Sequence, residues 1–230
     1  VGVRVANGAE TLQAAARAAA ATMGPRDVIL LLDCKNAFNT VSREAFLAKV
    51  AELAPTLLPY ARAAYANPTA LLFGDIRIDS ESGAQQGDPL GPLFFSLAGM
   101  DARTGAIANA GKSVPDVARR IIFEGSFLDD VSFGADATAA RALLDGYVAA
   151  ARSINLTLNM NKTQVVVHPN APPDVLALFS DVGGGNVQRF TSFTLLGAPC
   201  GTSATCASPS GSLSTSRSVS ISSRTEPLLP

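Results

Sequence analysis

Two short apolar segments that each end in acid constrain this chain more than anything else in it. Val28-Ile29-Leu30-Leu31-Leu32 is an unbroken apolar run closed by Asp33. That is the pattern of a strand buried on both faces whose C-terminal end presents a carboxylate. Phe127-Leu128-Asp129-Asp130 places two more acids side by side, in a segment that predicts a tight turn. Carboxylates gathered at strand ends are unfavourable unless cations pair with them, because like charges repel and each loses water. Divalent metals solve that problem. Mg2+ takes hard oxygen ligands at about 2.0–2.1 Å, several of them from substrate phosphates. Two such ions, about 3.5–4 Å apart, clamp the attacking and leaving oxygens of a phosphoryl displacement. Taken singly, each acid has a plainer explanation: an Asp after a strand caps a helix or forms a turn, and an Asp pair in a hairpin is solvated.

Around these segments the pattern is mixed. Residues 9–22 read as an Ala-rich helix, broken at Gly24-Pro25. Ser42 is an N-cap, with Glu44 in the first turn of a helix to about Leu53, and a second helix runs from Pro55 to Ala66. Ala70–Phe73 and Ile76–Ile78 flank Gly74-Asp75, a two-residue hairpin signal. A glycine-rich loop from Ser82 to Pro92 leads into a long apolar helix ending near Ala110. Arg120–Phe123 and Phe127–Gly134 read as strands, with the acid pair turning inside the second. Leu143, Leu144, Tyr147, Val148 and Ala151 mark an amphipathic helix over Ala137–Ile154, and Thr163–Val167 is a last strand. This order predicts an α/β (α+β) fold, an antiparallel-rich sheet with helices packed on one face. Thr202–Pro230 holds ten serines and little periodicity, so it is expected to be disordered or out of frame.

Composition bounds the function more loosely. The chain has 230 residues, 47% hydrophobic and 16% charged, which suits a globular domain. Its 18 basic and 19 acidic side chains leave a net charge of −1. That argues mildly against a nucleic-acid binder, which needs a basic stripe, without excluding one. Cys34, Cys200 and Cys206 are odd in number and not spaced as metal ligands, which fits an intracellular, reducing compartment. No apolar run approaches the ~18 residues of a membrane span, so no membrane partner is expected. The chain opens at Val1 with no charged-then-apolar leader and is read as a fragment of a longer frame.

Five motifs then follow one another in order. Asp33-Cys34-Lys35-Asn36-Ala37-Phe38-Asn39-Thr40-Val41 resembles the first catalytic motif of reverse transcriptases, in the form found in non-LTR (LINE-type) retrotransposons. Gln86-Gly87-Asp88-Pro89-Leu90-Gly91-Pro92-Leu93-Phe94 resembles their nucleotide-contacting loop and following helix, and Phe127-Leu128-Asp129-Asp130 their aromatic-x-Asp-Asp box. Leu158-Asn159-Met160-Asn161-Lys162-Thr163 is similar to the next motif and Leu195-Leu196-Gly197 to the start of the primer grip. The first three are specific, and together the five cover roughly residues 33 to 197.

The resemblance implies a polymerase palm with a ferredoxin-like core at 28–200, preceded by a helix and connector at 1–27 and followed by the tail at 201–230. It implies RNA-directed DNA synthesis from deoxynucleoside triphosphates on an RNA template with a DNA primer, using two Mg2+ ions, with Mn2+ as the alternative. Asp33, Asp129 and Asp130 are then the metal ligands, with the Cys34 carbonyl a further one. Phe38 is the steric gate that excludes a ribose hydroxyl; on spacing alone it reads equally as a core aromatic. Gln86 and Gly87 contact nucleotide and template base, the glycine because backbone without a Cβ approaches a ligand closely. Lys162 is the general acid beside the departing pyrophosphate, or else a solvated surface lysine. His168 belongs to no motif. A eukaryotic retroelement would place the protein in the nucleus. Only Arg4, Arg17 and Arg26 are basic before Val28, so the basic fingers and the helical thumb of such enzymes are expected to be missing and the chain to be weak or inactive alone. The competing expectations are a non-catalytic retroelement remnant and another palm-type nucleotidyltransferase or cyclase.

Overall fold

The computed structural model describes residues 7–182, 188–189 and 192–201; the expectations for the first six residues and for the serine-rich tail lie outside them. In chain order the elements are α1 (Gly8–Thr22), β1 (Asp27–Leu32), α2 (Ala37–Thr40), α3 (Arg43–Leu53), a 3-10 turn (Pro55–Leu57) and α4 (Leu58–Tyr65). Next come the hairpin β2 (Thr69–Phe73) and β3 (Ile76–Ser80), then α5 (Gly91–Ser113), α6 (Val117–Arg120), β4 (Ile121–Phe127) and β5 (Asp130–Asp136). The chain continues through α7 (Ala137–Ser153), β6 (Gln164–Val167), α8 (Pro173–Ala177), β7 (Gln188–Arg189), β8 (Ser192–Leu195) and β9 (Ala198–Gly201).

The main sheet has the order β4-β5-β1-β6-β7. β1 is antiparallel to both of its neighbours, β4 and β5 form a hairpin, and β7 adds in parallel at the β6 edge. With α5 between β1 and β4, and α7 between β5 and β6, this is the β-α-β-β-α-β arrangement of a ferredoxin-like core. The mixed fold and its antiparallel sheet are therefore as the pattern predicts.

β1 sits at the centre because its apolar run satisfies two cores at once. Val28, Leu30 and Leu32 point into the larger one with Phe46, Phe94, Phe133, Leu143 and Leu144. Ile29 and Leu31 point into a smaller one with Leu12, Ala16, Phe123, Val166, Phe193 and Leu195. The helical layer of α3, α5 and α7 thus covers one face, as expected, while α1 and the β8–β9 hairpin cover the other. Gln13 of α1 donates to the carbonyls of Leu195 (3.4 Å) and Leu196 (3.2 Å), tying that helix to the hairpin.

The boundaries of the acid-bearing hairpin need correcting. β4 does not stop at Phe123 but runs on to Phe127, and Asp130 is the first residue of β5 rather than part of the turn. Glu124-Gly125-Ser126 looked like a loop by composition, yet these residues pair with Phe133, Ser132 and Val131. The two turn residues are Leu128 and Asp129. Leu128 takes φ +54°, a conformation that a bulky residue rarely adopts and that costs about 1–3 kcal/mol.

Candidate functional site

Register carries Asp33 to the same end of the sheet as the acid pair. Leu32 of β1 pairs with Val131 of β5; carried one residue further, the same register sets Asp33 opposite Asp130, with Asp129 in the adjoining turn. Asp33 is half-buried and the other two are exposed. Asp130 has its pKa pushed up, first by partial burial of its carboxyl and then by the charges of Asp129 and Asp33. Cys34 feels Asp33 and Asp129 as well, although burial is the main reason its thiol pKa is raised. No donor or cation among the described residues meets the three carboxylates. Nor does any group of three or more His, Cys, Asp and Glu side chains among them stand in a metal-holding cluster. Mg2+ needs only one or two protein carboxylates beside substrate phosphates.

Phe38 lies on α2, half-buried, its ring stacked on that of Phe95 at 4.5 Å and 11°. Its carbonyl accepts from the Ala84 N–H (2.8 Å), while the Val41 carbonyl accepts from Gly83 (2.9 Å). Gly83 has φ +74°, and a Cβ there would sit 2.4 Å from the backbone of Asn39. Only glycine allows this loop to lie against α2. The structure therefore seats the loop bearing Gln86 and Gly87 beside Phe38, with both residues exposed.

Lys162 follows a turn anchored to the same end of β1. Asn159 donates to the Asp33 carbonyl (2.7 Å) and Lys35 to the Thr157 carbonyl (2.8 Å), forming a bridge between Cys34 and Leu158. Neither of these two bonds ends on the Cys34 carbonyl. The Lys162 ammonium is exposed and has no partner among the described residues. Leu195-Leu196-Gly197 falls at the β8–β9 turn on the opposite face, where Leu196 and Phe127 both pack against the smaller core. A cavity of about 830 Å3 opens beside Asp129, between the β4–β5 hairpin and α5, and is lined by Leu90, Phe95, Phe127, Leu128 and Tyr147.

Three residues were not legible as part of the site. Arg43 and Tyr65 are buried and reach the loop before α5, and Phe95 backs Phe38; Asp88, which lies in the quoted motif, anchors that loop. The adjacent aromatics Phe94-Phe95 in an otherwise small-residue helix were the one available signal; a lone Arg after a helix cap and a lone Tyr carry none.

No protein-family model and no curated protein matches the chain. Among solved structures, apo telomerase from Candida tropicalis, truncated from its C-terminal domain, is similar at a TM-score of 0.49 and 11% identity, over 86% of this chain and 38% of that one. Telomerase from Candida albicans in complex with a TWJ fragment of telomeric RNA is similar at a TM-score of 0.47 and 12% identity, over 83% of this chain and 32% of that one. The chain spans between 32% and 38% of the length of these two.

Proposed function

We propose that this chain is the palm of an RNA-directed DNA polymerase of the non-LTR retroelement type, joining deoxynucleotides to a primer 3′-hydroxyl on an RNA template. The observation that carries this is the register of β1 on β5, which sets Asp33 against Asp130 beside Asp129 with no cation of the described protein to neutralise them. The donor set fits Mg2+ or Mn2+, and Asp33, Asp129 and Asp130 would hold the two ions. When bound, the ions supply neutralising charge for the phosphoryl transfer.

The chain's own residues do the rest. Phe38, braced by Phe95, bars the sugar 2′ position to a hydroxyl. Gln86 and Gly87 contact the incoming nucleotide and the template base from a loop seated beside Phe38. Lys162, exposed and unpaired among the described residues, holds a proton for the pyrophosphate that leaves. The test is incorporation of a deoxynucleotide on a primed RNA template with Mg2+ at low salt, where few phosphate contacts suffice. Slow, template-dependent incorporation is expected from the wild-type chain and none from Asp129→Asn. Template-dependent incorporation that Asp129→Asn leaves undiminished contradicts the assignment.

A further inference from the structure

The Gln86 side chain makes no hydrogen bond among the described residues. Among the described residues, the backbone bond that closes the turn around it is Asp88 N–H to the Gln85 carbonyl, at 3.2 Å. Its shape comes from Tyr65. That ring is buried in edge contact with Phe46 and Phe94, at 5.1 and 5.7 Å between centroids. Its hydroxyl accepts from the Gln85 N–H at 3.1 Å and donates to the Asp88 carboxylate at 2.5 Å. Both ends of the turn are thereby tied to one phenol on α4. The other Asp88 oxygen accepts from the Leu90 N–H (2.8 Å) and from Tyr60 (3.2 Å).

Just upstream, the Arg43 guanidinium donates to the carbonyls of Gly83 (3.0 Å), Ser80 (2.7 Å) and Ser82 (3.3 Å), and to the Ser80 hydroxyl (2.8 Å). It lies 5.4 Å over the Tyr65 ring. Five donors spread over a planar fork reach acceptors that the three donors of an ammonium, all on one nitrogen, cannot span together.

We propose that Tyr65 is the positioning residue for the Gln85–Asp88 turn and that Arg43 locks the stretch before it, so that Gln86 and Gly87 meet a deoxynucleoside triphosphate from a preformed loop. This rests on the nucleotide-binding role proposed above and adds how the loop is held. Burial, and next Asp88, push the Tyr65 hydroxyl up to about 12, so it stays a donor throughout the neutral range. A loop fixed before the ligand arrives loses less freedom on binding, which is the purpose of such a brace.

The test is amide hydrogen exchange of the whole chain, read peptide by peptide, with dTTP and Mg2+ as the binding probe. Tyr65→Phe keeps the ring and removes only the hydroxyl. It should speed exchange across residues 82–90 about tenfold, the loss of one or two hydrogen bonds, leave residues 121–136 unchanged, and weaken dTTP binding several-fold. Arg43→Lys, which keeps the charge and loses the fork, should do the same over residues 80–84. Wild-type exchange in the loop of both variants overturns the proposal, as does a uniform rise that includes residues 121–136, since the loss is then one of general stability. A wild-type chain that binds no dTTP contradicts the nucleotide role itself, and is told apart from failure of the brace by the exchange data.

Discussion

Asp136 ends β5 at the edge remote from the three acids, and its carboxyl is held in the opposite sense to that of Asp130. Burial alone would raise it, but the Arg120 fork (2.5 and 2.6 Å) and the Ala139 N–H more than offset that, so its pKa is lowered. A depressed folded-state pKa contributes stability that is present above the ordinary carboxylate value and lost as pH falls through the folded one. Asp136→Asn keeps a helix-capping side chain and removes the charge. It should cost about 1 kcal/mol at pH 7, given a half-exposed guanidinium. In denaturant titrations the gap should begin to close just below pH 4 and vanish in stronger acid; a gap independent of pH would show that charge is not the cause. Phe38 and Phe95 allow a second test at this scale. If the stack holds the gate, Phe38→Val should raise ribonucleotide use relative to deoxynucleotide, and Phe95→Leu should do so by a smaller factor with Phe38 intact. Unchanged sugar selectivity in single-nucleotide extension would leave both as packing residues. Asp33, Asp129, Asp130 and Phe38 could be singled out because each sits in a motif that resembles a reverse transcriptase's, not by its own local spacing. Arg43 and Tyr65 could not be, because they act on a loop 20 or more positions away, largely through bonds to its backbone.

Among the elements, α5 and α7 pack tightly where α7 carries Gly146. A Cβ there would fall 2.4 Å from the Ala106 carbonyl, and Ala98, Ala102, Ala106 and Ala110 are all buried along α5. Gly146→Ala should therefore force the helices apart and cost about 2–3 kcal/mol, lowering the melting temperature by roughly 5–10 °C. Gly99→Ala is the control: no atom lies within 4 Å of its Cβ position, so the gain in helix propensity should stabilise by about 0.5–1 kcal/mol. Matching effects at the two glycines would contradict this account of the interface. The long helices and the β2–β3 hairpin were readable from periodicity and from Gly74-Asp75. The end of β4 was not, because Glu124-Gly125-Ser126 is held in the sheet by its pairing with β5 and not by its own preference. The short helices α2, α6 and α8 and the β8–β9 hairpin escaped for the same reason: each is fixed by what it packs on.

Across the whole molecule, the order of strands and helices was legible while the meeting of distant acids was an inference that only register could test. β1 and the β4–β5 hairpin are far apart in sequence, and nothing local specifies that Leu32 pairs with Val131. That single register decides whether Asp33 joins Asp129 and Asp130, because a slip of one residue would turn its side chain to the opposite face. The net charge of −1 gives the chain little general attraction for phosphate, so the function proposed for it depends on divalent ions at this one place. The most direct measurement is Mn2+ binding followed by electron paramagnetic resonance, comparing wild type with Asp33→Asn and Asp129→Asn. Saturable binding in the wild type that falls at least tenfold in both variants, with Mg2+ competing, is the predicted result. Binding that survives both substitutions, or none in the wild type, would contradict the assignment of these carboxylates as one metal site.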